Sequence, residues 1–231
     1  MDISMNGQGP NDICFIMNFY GSDKGHPMGE GHHNYTHYYH EVFKPVRNDP
    51  VRNDPVRIFE LGLGTNNLEF PSNMGVDGKP GASLRGWKQY FANGSVFGAD
   101  IDGGILFQED RIKTYQCDQN DGNSVRALWA QPDLQEDFDI IIEDGLHIFD
   151  SNVHFFENSC HKLKAGGVFI IEDVMYYTHG QWSQKIIEWR SRYPDYTFRI
   201  YVIPHKNNPH DNTLVIAQKS GNLRFPEPLP R

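Results

Sequence analysis

Cysteine, positive charge and long apolar runs are all scarce in this chain, and each shortage removes a class of function. The three cysteines among 231 residues, Cys14, Cys117 and Cys160, are odd in number and far apart. That spacing supports neither a disulfide framework nor a thiolate zinc site, so they read as small core residues. Lys and Arg total 21 against 30 Asp and Glu, a formal charge of −9. Such a surface repels a phosphate backbone, which argues against nucleic acid and for a small-molecule partner. No apolar run nears the roughly 20 residues that cross a bilayer, so no membrane role is expected. Residues 1–6 carry neither a basic leader nor an apolar stretch, and the expected location is cytoplasmic.

What is present suits one globular domain: 38% apolar and 13% aromatic residues in a chain of this length can bury one sizeable core. Short β-rich apolar runs at 56–61, 95–99, 112–117, 138–142 and 168–171 alternate with stretches of helical periodicity at 83–91, 123–130 and 151–164. This is the pattern of a parallel sheet with helices on both faces. Gly166 and Gly167 are expected to stop the third helix, and Asp150 or Ser151 to cap its start. A last helix at 181–192 ends before Pro194. Runs at 196–203 and 212–217 flank a turn rich in Pro, Asn, His and Asp, and read as an antiparallel pair at the sheet edge. The expected fold is therefore α/β: a Rossmann-like, doubly wound, mostly parallel seven-stranded sheet with an antiparallel last strand and an N-terminal helical lid. That ending is typical of class I methyltransferases.

Residues 1–57 are polar and rich in glycine and histidine. They read as a lid or cap and linker rather than a separate domain, with residues 58–231 as the main domain. Within the first part the pentad Val-Arg-Asn-Asp-Pro occurs twice, at 46–50 and 51–55. Two copies are too short for a solenoid, and the recurring proline forbids a continuous helix. His33 and His37 have metal-like spacing but no further ligands beside them in the sequence.

The first strand runs into Glu60-Leu61-Gly62-Leu63-Gly64, with glycines where a chain must turn sharply and admit a ligand to its backbone. A third glycine, which a pyrophosphate needs, is replaced by Asn67, so a nicotinamide dinucleotide is disfavoured. Asp100 and Asp102, at the end of the second strand, stand where ribose hydroxyls are held. Asp118 and Gln119, ending the third, stand where an adenine lies. S-adenosylmethionine has that ribose and lacks the pyrophosphate, and ligands of open α/β sheets bind at these carboxyl ends.

The fourth strand ends in Glu143-Asp144-Gly145-Leu146-His147 and the fifth in Glu172-Asp173. Asp144, Glu172 and Asp173 can converge as hard oxygen ligands. Carboxylates packed together repel unless a cation lies among them, and oxygen donors without cysteine favour Mg2+, with Mn2+ or Ca2+ as alternatives, over zinc. The competing reading is that one or two of these acids only cap the following helices. His147, three residues after Asp144, has a side chain suited to removing a proton near neutral pH.

These motifs, with Gly81-Ala82-Ser83-Leu84-Arg85-Gly86-Trp87, Tyr20-Gly21-Ser22-Asp23-Lys24-Gly25 and His33-Asn34-Tyr35-Thr36, give the chain a resemblance to the metal-dependent sugar O-methyltransferases of macrolide biosynthesis. The resemblance, strongest over 57–174, implies that Asp144, Glu172 and Asp173 hold magnesium and that His147 is the base, with a sugar hydroxyl as methyl acceptor. A glycine-rich insertion around 71–80 departs from the family and leaves the sugar open. Natural-product glycosides, nucleotide-sugars and capsule or lipopolysaccharide precursors all offer neighbouring hydroxyls. A homo-oligomer is compatible with such a fold. A metal-independent methyltransferase, a nicotinamide oxidoreductase and a noncatalytic S-adenosylmethionine-binding protein are the competing readings.

Overall fold

The strand Phe138–Glu143 is buried along its whole length, which requires apolar partners on both faces of the sheet. A computed structural model, describing residues 11–25, 33–47 and 55–221, supplies them. In chain order the elements are α1 (Asp12–Tyr20), α2 (Tyr35–Arg47), β1 (Arg57–Leu61), α3 (Ala82–Tyr90), β2 (Ser95–Asp100), β3 (Gln108–Glu109), β4 (Ile112–Gln116), α4 (Gly122–Trp129), β5 (Phe138–Glu143), α5 (Phe149–Ser159), β6 (Leu163–Ile171), α6 (His179–Arg192), β7 (Tyr196–Val202) and β8 (Thr213–Lys219). The strands form one sheet in the order β3-β4-β2-β1-β5-β6-β8-β7. β1 pairs in parallel with β2 and β5, β2 with β4 and β5 with β6, while β8 runs antiparallel to β6 and β7.

Side chains alternate across a strand, and this alternation divides the core. Ile58, Ile140, Ile142, Val168 and Ile170 face one layer, packed with Leu84 and Trp87 of α3 and Tyr39 and Phe43 of α2. Phe59, Leu61, Ile141, Phe169 and Ile171 face the other, with Val125 of α4, Phe155 and Phe156 of α5 and Trp189 of α6. The described part of the N-terminal segment is thus built into one layer of the core: Tyr35, Tyr39 and Phe43 are fully buried. Helix starts follow local chemistry. Asn11 accepts from the Cys14 N–H at 3.0 Å to cap α1, and Asp121 accepts from the Asn123 N–H at 2.8 Å to cap α4.

Four expectations are corrected. The sheet has eight strands, not seven, because the two-residue β3 pairs antiparallel with β4; so short a run carries no periodicity to read. The helix expected over 151–164 is α5, ending at Ser159, and Leu163 already opens β6. Gly166 and Gly167 therefore do not stop a helix. A Cβ on Gly167 would lie 2.9 Å from the Asp139 carbonyl oxygen, so that glycine serves the close approach of β6 to β5. The cap of α5 is Ile148, without a side-chain hydrogen bond; Asp150 lies in the first turn instead, where a negative charge suits the helix dipole. The two closing runs do form an antiparallel pair at one sheet edge, with β7 outermost and β8 beside β6. Of the Val-Arg-Asn-Asp-Pro repeat, Val46 and Arg47 finish α2, which runs through Pro45; residues 48–54 lie outside the described residues.

The described cysteines are free and buried. Among the described residues no helix is long and apolar enough to cross a membrane. Phe59 makes ring contacts with Trp129, Phe138 and Phe155, so Phe59→Ala should lower unfolding free energy by about 3–5 kcal/mol in a urea titration.

Candidate active site

The parallel strands end on one side of the sheet, and there a cavity of about 440 Å³ opens, within the roughly 300–1,000 Å³ usual for small-molecule sites. Gly62 and Gly64 after β1, Asp100 and Ile101 at the end of β2, and Asp118 and Gln119 after β4 line one half. Asp144, His147 and Asp173 line the middle. Gly62 has φ of +89°, and a Cβ there would lie 1.9 Å from the Asp144 carbonyl oxygen. Only glycine lets the β1 and β5 turns pass so closely.

Three residues expected to contact the cofactor or metal do not line the cavity. Glu60 is fully buried and accepts from the Ser83 hydroxyl at 2.6 Å and from the Trp87 indole N–H. The β1 pleat turns it away from the cavity, toward α3. Asp102 accepts from Thr65 Oγ1 at 2.6 Å and from the Gly104 N–H at 2.8 Å, so it braces two loops. Glu172 is 1% exposed and lies behind Asp144 and Asp173. Asp100 does line the cavity, and its carboxylate also accepts from the Leu63 N–H at 2.7 Å and the Asp102 N–H at 2.9 Å. Gln119 donates to Glu143 at 3.0 Å and accepts from the Leu146 N–H at 2.8 Å, which fixes the turn carrying Asp144 and His147.

Asp144, His147 and Asp173 each offer one ligand atom, and these atoms lie within 4.8 Å of one another. Among the described residues this is the one His/Cys/Asp/Glu group so placed. Its backbone is strained: the four described non-glycine residues with positive φ include His147 at +59° and Asp173 at +53°, and a third, Ser72 at +59°, also lines the cavity. Each such residue costs on the order of 1–3 kcal/mol and persists only where its surroundings overdetermine it. Ser72 donates to the Gly145 carbonyl at 2.9 Å, so the 71–74 stretch closes over the β5 turn. The first residues of the insertion that departs from the family, 71–74, thus form a cavity wall.

Sequence spacing did not single out the side chains that lie behind the cluster. Lys24, only 2% exposed, donates from Nζ to Asp144 and, at 2.5 Å, to Glu172, with Glu60 at 3.6 Å. Tyr39 donates to the other oxygen of Glu172, and Tyr35 to Asp173 Oδ1 at 2.7 Å. His33 Nε2 lies 3.4 Å from Asp173 Oδ1 and His147 Nε2 lies 3.5 Å from Asp173 Oδ2. His33 thus joins this site, and no second His33/His37 metal site forms among the described residues.

Charge does not balance here. Burial works against the Lys24 ammonium, but Asp144, Glu172 and Glu60 outweigh it and hold its pKa above the usual lysine value. One ammonium cannot serve every acid, so burial pushes Asp144 up to about 7 and raises Glu172, each against the pull of Lys24. Burial pushes Asp173 up as well, yet His33, His147 and the Tyr35 hydroxyl outweigh it and bring Asp173 below the usual carboxylate range. Burial lowers His147, and the carboxylates of Asp173, Asp144 and Glu143 more than offset this, leaving it raised. Such a set, all oxygens and imidazole with a surplus of negative charge, fits a hard divalent cation.

No family model matches the chain. It is similar to 8-demethyl-8-alpha-L-rhamnosyl tetracenomycin-C 2'-O-methyltransferase of Streptomyces olivaceus, 35% identical over 155 residues that are 67% of this chain and 35% of that protein. Demethylmacrocin O-methyltransferase of Streptomyces fradiae is 33% identical over 142 residues, 62% of this chain and 32% of that protein. Among solved structures, the MycE methyltransferase of the mycinamycin biosynthetic pathway, in complex with Mg and SAH, superposes with a TM-score of 0.66 at 26% identity, covering 96% of this chain and 58% of that one. The chain therefore spans about a third of the length of these curated relatives. Its fold is the Rossmann-like class I methyltransferase fold, as its sequence patterning implies.

Removing the buried ammonium tests the charge imbalance. Lys24→Met should destabilise the metal-free protein by about 3–5 kcal/mol, the usual effect of orphaning a buried ion pair. Millimolar MnCl2 should then raise its melting temperature more than that of the wild type; equal shifts would contradict the account.

Proposed function

We propose that the chain transfers a methyl group from S-adenosylmethionine to a hydroxyl of a sugar or glycosylated small molecule, assisted by a divalent metal. The observation that carries this reading is the position of Asp144, His147 and Asp173 in the middle of a cavity whose glycine and Asp100 side suits a nucleoside. The relatives are named as O-methyltransferases, one of them on a rhamnosyl group, and the superposed methyltransferase was solved with Mg and SAH. Three free, buried cysteines fit a reducing compartment, and we assign the chain to the cytoplasm. Residues 1–57 act in this reading as cap and linker, and residues 58–231 as the methyltransferase domain.

S-adenosylmethionine would supply a methyl group that passes to oxygen as its carbon–sulfur bond breaks, and a divalent ion the Lewis acidity that makes a hydroxyl a better acid. The chain's own residues do the rest. Gly62 and Gly64 let the cofactor approach the β1 turn, Asp100 takes ribose hydroxyls, and Ile101, Asp118 and Gln119 wall the base. Asp144 and Asp173 would hold the ion, with Glu172 as a third oxygen ligand where Lys24 now bonds it. Glu60 and Asp102 act at one remove: Glu60 through Lys24, Asp102 through Thr65.

His147 takes the acceptor's proton. Its Nε2 is turned to Asp173 Oδ2 at 3.5 Å, while Nδ1 is buried with no partner. That pairing favours the tautomer whose Nε2–H faces Asp173 and whose Nδ1 lone pair is free. A base works only when unprotonated, so turnover falls as pH drops through its pKa.

The test is formation of S-adenosylhomocysteine from S-adenosylmethionine over a panel of glycosides and nucleotide-sugars with MgCl2. Turnover on a sugar that EDTA abolishes and MgCl2 restores is expected; turnover indifferent to EDTA would remove the metal, and none across the panel would remove the reading. His147→Ala should lower kcat by about 10²–10⁴-fold, abolish the acid limb of the pH–rate profile and leave S-adenosylhomocysteine affinity unchanged. A variant that keeps that limb would show the base to be another group.

A further inference from the structure

The cavity continues past the cofactor and metal positions. Across the sheet its walls run from β4, β2 and β1, through the turns after β5 and β6, to Asp211 in the turn before β8. A nucleoside on the first three strand ends and an ion at the next two leave the β8 end for the methyl acceptor. Asp211 is held there through its backbone: its carbonyl accepts from the Tyr35 hydroxyl at 3.1 Å, the same hydroxyl that bonds Asp173 at 2.7 Å. Its side-chain oxygen Oδ1 is buried and, among the described residues, has no hydrogen-bond partner.

A buried carboxylate oxygen without a donor is costly. An ionised carboxylate accepts and never donates, so the missing partner must be a donor; a hydroxyl qualifies, an ether or carbonyl does not. The turn bearing Asp211 also carries His210, whose carbonyl accepts from the Tyr176 N–H at 2.8 Å, with the two rings 6.0 Å apart. Tyr176 follows Asp173 closely in sequence and is 57% exposed. An acceptor-only oxygen in the cavity wall, with an open aromatic ring held against the neighbouring residue His210, suits a pyranose ring, which offers hydroxyls at its edge and C–H groups on its face.

We propose that Asp211 and Tyr176 form the acceptor subsite for a pyranoside. Asp211 accepts from a hydroxyl neighbouring the one methylated, and Tyr176 covers the sugar face. Both are positioning residues, and the inference rests on the methyl-transfer reading above. It gives the turn before β8, otherwise only a connection between strands, a part in choosing the acceptor.

The probe is methyl α-L-rhamnopyranoside, titrated by saturation-transfer NMR against protein saturated with S-adenosylhomocysteine and MgCl2. The wild type should bind it. Asp211→Asn and Tyr176→Ala should each weaken binding by about ten-fold or more, with S-adenosylhomocysteine affinity and melting temperature unchanged. Equal sugar affinity in both variants, or no sugar binding by wild type that holds S-adenosylhomocysteine, would overturn the subsite. Failure to bind S-adenosylhomocysteine at all would overturn the methyl-transfer reading, and the subsite with it.

Discussion

A surplus of buried negative charge governs this molecule. Glu60 from β1, Asp144 from the turn after β5 and Glu172 from the turn after β6 meet around the Lys24 ammonium, with Asp173 next to Glu172 in the same turn. Taking even one carboxylate out of water is expensive unless it is paired. The fold meets that cost with every donor in reach: Lys24 for Asp144 and Glu172, Tyr39 for Glu172, Tyr35, His33 and His147 for Asp173, and Ser83 and Trp87 for Glu60. Burial still pushes Asp144 and Glu172 up against the pull of Lys24. A divalent ion among these acids would supply what one ammonium lacks.

The same interactions tie the N-terminal segment to the sheet. α2 buries Tyr39 and Phe43 beside Trp87 of α3, and its tyrosine hydroxyls, with Lys24, reach the turns after β5 and β6. The packing of α2 and the electrostatics of the site are therefore one structure, and a change in either is felt in both. Strain follows the same geography. His147, Asp173 and Ser72 hold left-handed backbone conformations around the cavity, a cost justified where side-chain aim decides chemistry.

Much of this was legible in the sequence where the determinants are local. Ile140, Ile141 and Ile142 announce a strand covered on both faces, and Gly62 and Gly64 mark a turn that a ligand or another chain must approach. Asp144 and His147 share one turn, so their meeting follows from spacing alone, and the adjacent strand end brings Asp173 to them. Lys24 was not legible as a site residue, because 120 residues separate it from Asp144 and nothing in its surroundings marks it as buried. Glu60 misled for a subtler reason. It lies in the strand before the glycine turn, but the alternation of β1 turns it toward Ser83 and Trp87. The 71–80 insertion looked like a departure, and only three dimensions reveal Ser72 bonding to Gly145. The extent of α5 was overread because Leu163 continues a helical period that the chain has already left for β6.

The central claim is that a hard divalent ion belongs among Asp144, Asp173 and Glu172, beside the cofactor. The most direct measurement is a crystal structure with MnCl2 and S-adenosylhomocysteine, using the anomalous scattering of manganese. The account predicts a manganese peak within bonding distance of Asp144 and Asp173, with the Lys24 ammonium displaced from Glu172. Saturating MnCl2 with no peak there, and Lys24 still bridging Asp144 and Glu172 beside a bound S-adenosylhomocysteine, would contradict it.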